Sequence, residues 1–62
     1  MEDFDARLQL AELERLADAA DKRAEYWRDQ GDFYFADMWV RAAAGHREVA
    51  ADIKRNFPEV LA

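Results

Sequence analysis

Residues 3–30 contain neither glycine nor proline. They are rich in Ala, Leu, Glu and Arg, which favour helix. Within this run apolar residues recur at Ala6, Leu10, Leu13, Ala17, Ala20, Ala24 and Trp27. The intervals alternate between four and three, the seven-residue repeat of a helix that packs along one coiled-coil-like seam. Leu8, Leu16 and Tyr26 widen the stripe. Glu12, Arg15, Asp18, Lys22, Glu25 and Arg28 occupy the far face. Asp18 and Lys22 stand in the favourable acid-first order for a pair one turn apart.

The run stops at Gln30-Gly31-Asp32. Glycine suits the left-handed residue that ends a helix, and aspartate suits the N-cap of the next. A turn this tight forces the two helices to run antiparallel. The second helix is expected over about 33–56. Phe57 precedes Pro58, and the residue before a proline is pushed away from helical geometry. Residues 57–62 read as a short tail. The expected fold is all-α: one domain over 1–62, an antiparallel two-helix hairpin with a helix at about 3–30 and a turn at 31–32.

The second helix carries two apolar stripes. One runs Phe33, Ala36, Val40, Ala43, Arg47, Ala50; the other runs Phe35, Trp39, Ala42, His46, Val49, Ile53. A single partner helix covers one stripe and leaves the other exposed. A helix that is apolar nearly all round is normally buried on several sides. A chain of 62 residues without cysteine has a small core and no disulfide to reinforce it. The expected solution is a homodimer in which two hairpins form a four-helix bundle.

Six of the eight aromatic residues lie between positions 26 and 39: Tyr26, Trp27, Phe33, Tyr34, Phe35 and Trp39. All fall near the hinge, and one hairpin end cannot bury them all. Trp and Tyr are enriched at the energetic centres of protein interfaces. Tyr34, Phe35, Met38, Trp39, Ala42, His46, Val49 and Ile53 are therefore the candidate partner-binding residues, for either a second copy or a foreign protein.

Net charge is −5. The surplus of acid sits on the first half of the chain, and on the second helix Asp37, Glu48 and Asp52 interrupt the basic residues. That pattern argues against direct nucleic-acid binding, which relies on Lys and Arg to neutralise phosphates. Asp18, Asp21 and Glu25 share one helical face. They form a solvated acidic surface or a stripe offered to a basic partner; the second helix supplies no matching acids for a Mg²⁺ site. His46 is the single histidine, and the chain has no Cys, Ser or Thr. No nucleophile–base pair, zinc site or phosphate loop can be assembled. No enzymatic activity and no cofactor are expected. The acidic start Met1-Glu2-Asp3-Phe4-Asp5 lacks the features of a signal peptide, and no stretch approaches the length of a membrane span. The expectation is a cytoplasmic protein, complete as it stands, with a protein partner and no membrane.

Two resemblances bear on function. Gln30-Gly31-Asp32-Phe33, followed by Ala36 and Ala43 and preceded by Ala24 and Trp27, resembles the turn and flanking helices of one tetratricopeptide repeat, over about 34 residues. That likeness implies a helical hairpin used to bind protein. Compact acidic helical chains of this size also resemble products of phages and mobile elements that block host machinery, such as anti-CRISPR proteins. That second likeness implies an inhibitor that uses an acidic helix face and an aromatic patch against a nucleic-acid-binding complex. The leading expectation is a self-associating interaction module that binds or regulates a partner protein.

Overall fold

A computed structural model describes residues 5–61. Helix α1 spans Ala6–Asp29 and helix α2 spans Phe33–Asn56. The two pack antiparallel as a hairpin measuring 44 × 21 × 18 Å. The expected start of the first helix, near residue 3, lies outside the described residues. Among the described residues no helix is long and apolar enough to cross a membrane.

With no Ser or Thr in the chain, aspartate caps both helices. The Asp5 carboxylate accepts from the Leu8 N–H at 3.1 Å, and the Asp32 carboxylate accepts from the Phe35 N–H at 3.0 Å. Each cap satisfies an amide that has no partner within its helix. Gly31 adopts φ 82. Its N–H donates to the Arg28 carbonyl at 3.0 Å, and the Asp32 N–H donates to the Trp27 carbonyl at 2.9 Å. This is the Schellman pattern, which closes α1 and reverses the chain at a residue where a side chain would be strained.

The seam of α1 follows the expected repeat. Ala6, Ala17, Ala20 and Ala24 are buried, and Leu10, Leu13 and Trp27 are half-buried. The seam of α2 differs from both expected stripes and draws alternate members from each. Ala36, Ala43 and Ala50 come from one; Trp39, His46 and Ile53 come from the other. Together they make a single repeat of three and four. The reason is steric. The α1 seam is mostly alanine, so the facing helix approaches closely and offers its own alanines, leaving bulkier neighbours to either side. Ala17, Ala20 and Ala43 form the centre, with Trp39 and Ala42 packed against them. Among the described residues no polar or charged side chain is buried.

The expected tail has structure of its own. Pro58–Leu61 forms a 3-10 helix that packs against α2. The Phe57 N–H still donates to Ile53 at 2.8 Å, and Arg7 donates to the Glu59 carbonyl at 3.1 Å. Proline ends the α-helix without ending the ordered chain, because Phe57 and Val60 keep partly buried positions.

The alanine seam gives a direct test. Ala43→Leu forces an isopropyl group into a site only 1% exposed. It should destabilise the fold by about 1–3 kcal/mol, read as a lowered midpoint in thermal or urea unfolding. A stabilised variant would show that the two helices stand further apart than described.

Candidate interaction surface

A hairpin has two broad sides flanking its seam, and the side chains here sort unequally between them. On one side opposite charges meet. Arg47 of α2 donates to Asp21 at 2.5 Å and to Asp18 at 3.3 Å, and Lys54 lies 3.8 Å from Glu14. Glu14, Asp18, Arg47 and Lys54, with Ala50 and Ala51, line an open groove of about 420 Å³. The hydrogen bond from Arg47 holds the Asp21 carboxyl below its ordinary value, and Asp21 raises Arg47 in return. Asp18 therefore engages α2 rather than the expected Lys22. Glu25, two turns nearer the hinge than Asp18, is exposed. The acidic stripe of Asp18, Asp21 and Glu25 is thus partly neutralised from within the chain. Among the described residues no three His, Cys, Asp or Glu side chains gather as metal ligands.

The other side is apolar. From α1 it takes Leu16, Ala19 and Tyr26; from α2 it takes Phe35, Met38, Ala42, Gly45 and Val49. Its hinge end is bulky. Trp27 and Phe35 meet at a 40° tilt with centroids 5.1 Å apart, Tyr26 meets Trp27 edge-on at 5.1 Å, and Tyr34 lies 6.1 Å from Phe35. Arg23 lies 5.0 Å from the Trp39 ring centre and makes no ion pair among the described residues. The middle of this side is flat, with only Ala19, Ala42 and Gly45. Beyond it Leu16 and Val49 rise again.

The candidate partner-binding residues accordingly divide. Phe35, Met38, Ala42 and Val49 lie together on the apolar side. Tyr34 stands at the tip and is 76% exposed. Trp39 and His46 are half-buried in the seam, and Ile53 is buried. Those three fill the hairpin's own core, because the seam draws on both stripes. Phe33, 67% exposed, points away from the Trp27–Phe35 ring cluster and joins Val40 toward the charged side.

Gly45 is the residue that periodicity alone passes over. It sits inside α2, where glycine is less favourable than alanine by about 1 kcal/mol. Its φ is not positive, and a Cβ built on it meets nothing within 4 Å. Nothing inside the hairpin requires a glycine here. The helix-by-helix pattern also hides the link from Arg47 to Asp21, since the two are brought together only by the antiparallel register.

Comparison with protein families, curated proteins and solved structures matches the chain to none of them.

The Asp21 pairing fixes a pH dependence. A carboxyl whose value is depressed by folding contributes stability at neutral pH and loses it as pH falls through the carboxylate range. Asp21→Asn should melt below wild type at pH 7, and the gap should close on acidification toward about pH 2. A gap independent of pH would show that the Arg47 contact carries no linkage.

Proposed function

We propose that this chain is a small protein-interaction module that self-associates as a homodimer and binds or regulates a second protein. One observation carries the reading. The buried residues are alanines and one isoleucine, whereas Tyr34 and Phe33 stand mostly in solvent and Phe35, Met38 and Val49 are nearly half exposed. The seam takes Trp27, Trp39, Leu10, Leu13 and Ile53 in part or whole, and these others are left as apolar surface still to cover. Exposed apolar surface of this extent marks interaction sites. Twofold pairing of hairpins into a four-helix bundle covers the apolar side. The tip, with Tyr34 and Phe33, is the candidate contact for a foreign partner.

The chemistry agrees with a binding role rather than a catalytic one. The chain has a single His and no Cys, Ser or Thr, and no side chain nitrogen or oxygen is buried without a partner among the described residues. The alternative, an inhibitor whose acidic helix mimics nucleic acid, draws on the surplus of acid in α1. Arg47 weakens it by engaging Asp18 and Asp21, the centre of the proposed acidic face.

Light scattering tests the self-association. A chain of 7.2 kDa should give a mass of about twice that at micromolar concentration, with a melting midpoint that rises with concentration. A strict monomer with a cooperative, concentration-independent melt would overturn the proposal. Tyr34→Ala should leave mass and melt unchanged while weakening capture of a foreign partner.

A further inference from the structure

The self-association proposed above leaves open which surface pairs and in which direction. We infer that a second copy of this chain docks on the apolar side defined by Phe35, Met38, Ala42, Gly45 and Val49. The two hairpins run head to tail, with the twofold axis crossing the flat middle at Ala42 and Gly45. The inference rests on the self-association reading and adds the interface and its orientation.

Four observations converge. The first is area. A hairpin 44 Å long and 21 Å wide has a broad side whose outline, on the order of 900 Å², is large enough to hold the roughly 800 Å² that each partner of a standard stable interface buries. A second copy, presenting the same side, matches that footprint along its whole length. The second is the asymmetry of the two sides. The charged side closes on itself through Arg47–Asp21 and Lys54–Glu14, while the apolar side has no such internal closure.

The third is relief along the hairpin. The hinge half of the apolar side is thick with Tyr26, Phe35 and Met38; the far half carries only Leu16 and Val49. Head-to-tail pairing lays thick on thin and sets Met38 over Val49 of the second copy. It also brings Arg23, which faces the Trp39 ring and makes no ion pair among the described residues, to the half where Glu12 and Asp52 of the second copy stand beside Arg15 and Arg55. Pairing with hinges together would crowd both bulky ends at one height and hold the flat middles apart.

The fourth is Gly45. Head-to-tail pairing about this axis lays α2 on α2 of the second copy, with position 45 close to itself. Missing side chains let helix backbones approach there, which accounts for a mid-helix glycine that the hairpin itself does not need.

The absence of cysteine makes single-cysteine variants direct probes of this geometry. Under oxidation Ala42→Cys should form a covalent dimer, because position 42 lies beside its own symmetry mate within the roughly 7 Å Cα reach of a disulfide. Met38→Cys, displaced from the axis along the helix, should not, and neither should Ala44→Cys on the charged side. Val49→Asp should reduce the light-scattering mass to the monomer. Val40→Asp, at a position nearly as exposed on the other side (43% against 48%), should leave the dimer intact. Gly45→Ala should raise intrinsic helicity yet weaken the dimer at least tenfold. Because each dissociating variant is compared with a matched one, loss of folding is recognised by circular dichroism and does not mimic the expected pattern. A dimeric wild type in which Ala42→Cys fails to cross-link, Ala44→Cys cross-links, Val40→Asp alone dissociates, or Gly45→Ala tightens pairing would overturn this interface while leaving self-association in place. A monomeric wild type would remove both.

Discussion

The approach of alanine to alanine along the seam sets nearly everything else in this hairpin. Ala17 and Ala20 of α1 pack against Ala43 of α2, and Ala24, Ala36 and Ala50 are buried along the same seam. Side chains of one methyl group let helix axes come near, toward the short end of the roughly 8–10 Å spacing of packed helices. They also bury little area each, on the order of 0.8 kcal/mol per carbon removed from water. The seam is therefore tight but light. It leaves no room for Phe33, Phe35, Met38, Val40 or Val49, which are displaced to the flanks. The outward placement of large apolar groups follows from the inward placement of small ones.

What happens on the two flanks differs because the charges differ. On one flank Asp21 and Glu14 of α1 oppose Arg47 and Lys54 of α2, and near the chain ends Arg7 reaches the Glu59 carbonyl. Exposed pairs of this kind add little stability. Their use is in register: sliding α2 by one turn would separate these partners and would also bring Trp39 or His46 to the place of Ala43, so charge and seam favour one alignment. The hinge adds a second constraint, since the Asp32 cap and the Gly31 reversal set where α2 begins. Register, hinge and charge thus agree, and the flank they leave uncharged is the one with Phe35, Met38 and Val49.

The hairpin itself was legible in the residues. The Gly-free and Pro-free run, the Gly31-Asp32 break and the Phe57-Pro58 stop are local signals, each with a local steric or hydrogen-bonding cause. The seam of α1 was legible too, because one stripe there is plainly more apolar than any other. The seam of α2 was not. Its two candidate stripes are similarly apolar, and the choice between them depends on the partner helix: an alanine-lined groove selects Ala36, Ala43 and Ala50 and draws in Trp39, His46 and Ile53 between them. Ile53, read from periodicity as a partner-binding residue, is buried for that reason, and His46, read likewise, is half-buried in the seam. The ion pair of Arg47 with Asp21 was equally hidden, since it joins residues 26 apart in sequence. Gly45 gave no periodic signal, and only the empty space around it shows that the hairpin makes no use of it.

Head-to-tail pairing about Gly45 has a consequence for the hinge. The two hinges would lie at opposite ends of the dimer, separated by about the length of one hairpin, 44 Å. Phe35 and Met38 would be covered, whereas Tyr34 and Phe33 would stay exposed at both ends. The aromatic residues gathered by Gly31 then serve three purposes by position alone. Trp27 closes the hairpin, Phe35 contacts the second copy, and Tyr34 is left for a foreign surface. Two identical ends on a stiff body bind a partner that presents two sites far more tightly than one end does, provided the spacing matches. Under the proposed pairing, a short helical hairpin with a core this light would gain both stability and reach from the same contact.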